Sequence, residues 1–490
     1  MSSENQPEPA AVLPEPAPPT HVGGSAELRT PVDGGLSALG LVMQLGGSVL
    51  AAYATLATFV VLFLSQLQGG KDMLWLFLLL GLSVARSLFH RLAGSELLYG
   101  RRVGFDEKPI SPLRGIYRYI IIALGHTVLI VLVLKFKFGA PGKLVLGLGL
   151  GLAAWPLVLL GVLATQGFRR FTADLPVSED KGFESAAILM TILGICGALV
   201  TGTALVTILE AGGKALQQGP GILLLLVLAM LLVRSVLHIQ AGLSGLRETS
   251  VDQAVALANR YSNFGIISSF VAGGALLLLV MMVSMNMIGI VAVTGVVWML
   301  MTWPMVIRRF FSDRQFADLL AGEEAGVHRR APDAGLTGLG WLLLALAVFQ
   351  GSVLIPQLLF GPDLFDSSGR MGKLDDMFLF GGQGIRSMWW SAGIVMLQAW
   401  AGLELIRMSP YHRIIASVFA VASIAVTIYV AWPIFSMWKS FGGRLGSDAL
   451  KMLWPIAIAL VIPIATLLLV NRRIAPTARA RFRPRPAAGS

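Results

Sequence analysis

Long apolar runs, broken by short polar stretches, divide the chain. They fall at residues 39–65, 73–93, 116–134, 144–167, 185–209, 221–241, 263–283, 287–307, 336–357, 388–407, 413–435 and 451–471. A helix rising 1.5 Å per residue needs about 20 apolar residues to cross the hydrocarbon layer, and each run is near that length. None shows the period-two alternation, in segments of about ten residues, that marks a membrane β-barrel. The pattern therefore predicts an all-α polytopic membrane protein with twelve transmembrane helices.

The same runs carry an internal repeat. Residues 85–94 read ARSLFHRLAG and residues 233–242, 148 positions later, read VRSVLHIQAG. Trp-Pro pairs occur inside three runs, at Trp155 and Pro156, Trp303 and Pro304, and Trp454 and Pro455. Each of these runs is followed by an Arg pair, at Arg169 and Arg170, Arg308 and Arg309, and Arg472 and Arg473. Tyr/Arg clusters open the third run of each group, at Tyr117, Arg118 and Tyr119, at Arg260 and Tyr261, and at Tyr411, His412 and Arg413. Three copies of a four-helix unit account for this spacing. Four is even, so the copies share one orientation and an axis along the membrane normal relates them. The expected organisation is a Pro/Ala/Glu-rich disordered segment at 1–35, repeats at 36–182, 183–333 and 334–471, and a basic tail at 472–490.

Charge sets the orientation. Lys and Arg divide 25 to 11 between the two sets of connections and termini, which places both termini in the cytoplasm, N-in and C-in, with the chain integral to a plasma (inner) membrane. The net charge of +11 then reflects this bias, so nucleic acid is not an expected partner and anionic lipid headgroups are. Only 13% of residues are charged, against about 25% in soluble domains. The first residues are acidic, so no signal-peptide n-region is expected there. The single cysteine, Cys196, lies in an apolar run and excludes an internal disulfide.

Few residues offer chemistry. Arg86 and His90, and likewise Arg234 and His238, stand four apart and share a helical face inside apolar runs. Ionisable groups are costly there. One reading makes them interfacial anchors, the long Arg stem snorkelling toward headgroups. The other makes Arg86, His90, Arg234 and His238 an anion or lipid-headgroup site between the units. No Asp or Glu lies mid-span, so each Arg must be satisfied by carbonyls, water or an exogenous anion. The third copy has neither Arg nor His between Trp389 and Leu405. It has instead a long connection at 356–387 with Asp363, Asp366, Asp375 and Asp376, whose spacing fits no calcium loop. Pro156, Pro304 and Pro455 are expected to kink their helices. Gly194, Ala198 and Gly202, and Gly147 with Gly151, have the spacing of close helix contacts. Short amphipathic helices are expected at 250–258 and 312–320, from capping-box patterns beginning at Ser250 and Ser312.

Enzyme motifs are absent: there is no P-loop, no H-E-x-x-H and no G-x-S-x-G. Neither catalysis, a cofactor nor a metal site is expected. Two functions fit the pattern. One is a transporter or lipid-handling protein with a cytoplasm-facing anion or headgroup site. The other is a non-transporting scaffold or assembly subunit for membrane-protein partners.

Overall fold

The computed structural model describes residues 34–68, 73–99, 113–164, 182–210, 219–246, 251–283, 287–312, 334–360, 385–407, 409, 411–440 and 446–473. The expected disordered start, the acidic connection and most of the basic tail lie outside the described residues. The described chain is helical. The helices are α1 (Gly34–Gln68), α2 (Met73–Tyr99), α3 (Arg114–Leu132), α4 (Gly142–Ala164), α5 (Phe183–Glu210) and α6 (Gly219–Leu246). They continue with α7 (Val251–Val283), α8 (Met287–Phe311), α9 (Ala334–Phe360), α10 (Ile385–Arg407), α11 (His412–Ser440) and α12 (Gly446–Arg473). A π-helical turn, Val133–Lys137, ends α3. Among the described residues nine helices are long and apolar enough to cross a membrane, and the chain is an integral membrane protein on that ground. Its exposed helix faces meet lipid.

One expectation is corrected. Residues 251–258 do not form a short separate helix on the membrane surface or on the helix ends but are the first turns of α7, which runs unbroken for 33 residues. Ala254, Ala258 and Tyr261 are buried on one stripe, and no Pro interrupts the stretch that follows, so the helix simply continues. The segment expected at 312–320 lies outside the described residues beyond Ser312.

Consecutive helices pack on one another within three sets, α1–α4, α5–α8 and α9–α12. The sets meet in a closed order: α1 lies against α8, α5 against α12 and α9 against α4. The first helices, α1, α5 and α9, also touch one another. The apolar cores follow suit. Leu97, Tyr119 and Leu159 of the first set share a core with Trp341 and Leu344 of α9. Ala241, Tyr261 and Ile307 of the second share one with Leu41 of α1. Leu405, Phe419 and Val470 of the third share one with Ile188 and Ile192 of α5.

Within each set the first two helices approach backbone to backbone. A methyl group on Gly94 of α2 would lie 2.7 Å from both the Gly40 carbonyl oxygen and the Gln44 nitrogen of α1. On Gly242 of α6 it would lie 2.8 Å from the Ala187 oxygen and 2.6 Å from the Thr191 nitrogen of α5. On Gly402 of α10 it would lie 2.8 Å from the Gly340 oxygen and 2.9 Å from the Leu344 nitrogen of α9. Each glycine faces residues i and i+4 of its partner, so the three pairs share one register. Small residues permit such contact, and hydrocarbon offers no hydrophobic drive to replace it. Of the small-residue sequence pattern in α5, Gly194 makes this kind of contact, against the Ile239 nitrogen, whereas Gly202 faces open space.

Gly94→Ala, Gly242→Ala and Gly402→Ala should each destabilise the protein by about 1–3 kcal/mol, as overpacking does. Gly274→Ala should be neutral or slightly stabilising, because nothing lies within 4 Å of its would-be methyl. Thermal unfolding of the purified variants in one detergent measures both.

Candidate functional site

Proline has no amide hydrogen, so a proline inside a helix leaves the carbonyl four residues earlier without its helical donor. In hydrocarbon an unsatisfied carbonyl costs several kcal/mol. Pro156 lies inside α4 and frees the carbonyl of Leu152; Pro304 lies inside α8 and frees that of Leu300. The structure supplies the missing donors from the two intramembrane arginines. Arg86 Nη2 on α2 donates to the Leu152 oxygen at 2.7 Å. Arg234 Nη2 on α6 donates to the Leu300 oxygen.

The second terminal nitrogen of each guanidinium is used one helix over. Arg86 Nη1 donates to Thr127 Oγ1 on α3 at 3.3 Å, and Arg234 Nη1 to Ser269 Oγ on α7 at 3.1 Å. Each arginine thus ties three helices together with neutral oxygen acceptors, and no carboxylate takes part.

The histidines join the same clusters. Trp155 Nε1 donates to His90 Nε2 at 3.1 Å, and Trp303 Nε1 to His238 Nε2 at 2.8 Å. An indole nitrogen can only donate, so each Nε2 is the bare nitrogen and each Nδ1 carries the proton. His90 stacks on Tyr119 with ring centroids 4.5 Å apart and His238 on Tyr261 at 4.1 Å. All four sequence-predicted polar residues therefore sit in equivalent networks, with partners offset by 148 residues on α4 and α8 and by 142 on α3 and α7. The structure does not bring the two arginines together. Arg86 belongs to the first set of helices and Arg234 to the second.

The prolines divide. Pro156 and Pro304 are buried inside their helices, whereas the side chain of Pro455 lies outside the described residues. Sequence reasoning missed Thr127, Ser269 and the carbonyls of Leu152 and Leu300. The carbonyls were findable, since each stands four residues before a mid-span proline. It also passed over His126, which is buried on α3 with Nε2 3.2 Å from the Leu79 carbonyl. Three buried imidazole nitrogens have no partner among the described residues, Nδ1 of His90, Nδ1 of His126 and Nε2 of His412. The first carries a proton. The second does not, because Nε2 must be the donor to the Leu79 carbonyl. Among the described residues no three metal-ligating side chains converge. No family model, no curated protein and no solved structure matches the chain.

A double-mutant cycle checks the cap. Arg86→Met should cost about 2–3 kcal/mol, the loss of a charged hydrogen bond plus an orphaned carbonyl. In a Pro156→Ala background Leu152 regains its helical donor, and the same substitution should cost roughly 1–2 kcal/mol less. Additive losses in detergent melting would disprove the coupling.

A second substitution probes His90. A methyl on Gly46 of α1 would sit 3.5 Å from His90 Cε1 and 4.0 Å from Nδ1, an ordinary contact. Gly46→Ser should place a hydroxyl acceptor at that proton and stabilise the protein by about 1 kcal/mol beyond Gly46→Ala. Equal melting temperatures for the two variants would contradict this geometry.

Proposed function

We propose that the chain is a framework within the membrane, non-transporting and without catalysis of its own, that scaffolds other membrane proteins. Three parallel four-helix repeats surround a pseudo-threefold axis, with both termini in the cytoplasm. The closed packing order of the three helix sets and the shared register of the glycine pairs support the repeat. The observation that carries the scaffold reading is the use of the intramembrane arginines. Both give their terminal nitrogens to carbonyl and hydroxyl oxygens of their own helix set. Arginines so engaged are braces within a bundle. A ligand that took the N–H group now bonded to Leu152 or Leu300 would break a bond that holds a proline-interrupted helix together.

A second reading rests on one specific observation. The proton on His90 Nδ1 is buried and has no acceptor, beside an arginine that is only half-buried. A lipid phosphate or another anion would satisfy it. On this reading the protein is a transporter or lipid-handling protein, with Arg86, His90, Arg234 and His238 as two cytoplasm-facing anion sites.

Native mass spectrometry of the purified protein separates the two, read beside thermal unfolding. For a scaffold, wild type and Arg86→Ala/Arg234→Ala should retain the same anionic lipids, and the double variant should melt at lower temperature. Loss of bound anionic lipid with an unchanged melting temperature would overturn the scaffold reading in favour of the site.

A further inference from the structure

The glycine register reaches into the third set of helices. Arg86, Arg234 and Ile394 each stand eight residues before the glycine that meets its partner backbone, Gly94, Gly242 and Gly402. Four residues before the same glycines stand His90, His238 and Gln398. On the third helices, Tyr119 and Thr127, Tyr261 and Ser269, and Phe419 and Thr427 are buried pairs with the same spacing of eight. On the fourth helices the buried stripe runs Pro156, Leu159 and Leu163, then Pro304, Ile307 and Phe311, then Pro463, Thr466 and Val470. Pro463 therefore stands level with the two capped prolines.

Pro463 frees the carbonyl of Ala459 as its counterparts free Leu152 and Leu300. The position that supplies the guanidinium cap elsewhere is Ile394, which is buried and carries no donor. Gln398 does not substitute, because its Nε2 donates away from α12, to the Leu343 carbonyl of α9 at 3.1 Å. Among the described residues no side chain donates to Ala459. One turn further on, the Thr466 hydroxyl is fully buried and also has no partner. The proline in α9 differs again: it frees the Ser352 carbonyl, against which Gly151 of α4 packs closely.

We infer that α12 contains an unlatched hinge at Ala459–Pro463, a point at which this bundle changes shape. The hinges of α4 and α8 are held by side-chain hydrogen bonds to one neighbouring helix each, α2 and α6. That of α12 is held by packing alone. Because α12 lies against α5, bending it moves the contact between the third set of helices and the second. A scaffold would use such motion to accommodate a partner, and a carrier to open a path.

Hydrogen exchange of the full-length protein in lipid nanodiscs tests this. Peptides spanning 459–466 should exchange at least about tenfold faster than those spanning 152–159 and 300–307, the factor expected for one missing charged hydrogen bond. Arg86→Met should raise exchange at 152–159 to the α12 level and leave α8 unchanged. Ile394→Arg should slow exchange at 459–466 if the variant folds. Equal protection of the three turns in wild type, or no response of α4 to Arg86→Met, would overturn the hinge. Neither outcome bears on lipid retention, so the hinge and the functional readings fail independently.

Discussion

A carbonyl without a hydrogen in a membrane helix must find a donor or remain a standing cost, and this constraint organises the molecule. Proline creates the problem at Leu152 and Leu300, and an arginine two helices earlier in the chain solves it each time. The solution works in both directions. A guanidinium in hydrocarbon needs acceptors as much as the carbonyl needs a donor. Proline inside α4 and arginine inside α2 would each be expensive alone, and together they become a cross-brace. Thr127 or Ser269 supplies a second neutral acceptor, and no carboxylate bonds either arginine among the described residues.

The histidines extend the brace within each set. Stacked on tyrosine and accepting from tryptophan, each imidazole fills the space between the second, third and fourth helices with bonds of fixed direction. These clusters share the interior with the apolar cores that join each set to the first helix of another. Packing at glycine–backbone contacts holds the first and second helices together, and the polar cluster ties the second, third and fourth. The two devices meet on α2 and α6, which carry both the glycine and the arginine. In the third set the glycine contact persists and the polar cluster is replaced by Ile394, Phe419 and Ile462, which lie in an apolar core.

The proposed scaffold role rests on this division of labour. Buried cations in membrane proteins commonly mark ligand or ion paths. Here their hydrogen bonds go to the protein itself, which favours a mechanical role. The asymmetry between two sets with an arginine brace at a proline and one without such a brace among the described residues gives the molecule a stiff part and a softer one.

Much of this was legible along the chain. Long apolar runs dictate helices because hydrocarbon leaves the backbone no other partner, and the helix bounds of the structure fall within a few residues of those runs, except at α7. The recurrence of Arg86 and His90 at Arg234 and His238 likewise marked equivalent positions before any contact was known. What the linear pattern could not decide was where each guanidinium points. Snorkelling to headgroups, binding an anion and capping a carbonyl all demand the same residue at the same depth. Only the packing of α4 against α2 and α3 brings Leu152 within reach of Arg86, since the two stand 66 residues apart. The register of the third set, with Pro463 and not Pro455 level with Pro156 and Pro304, was hidden for a related reason. That register is set by backbone contact at Gly402, while the residues that would have advertised it, arginine, histidine and tryptophan, have been exchanged for Ile394, Gln398 and Ile462. Side-chain identity determined the helices; the direction of each polar bond belongs to the tertiary structure, because hydrogen bonds depend on distance in space.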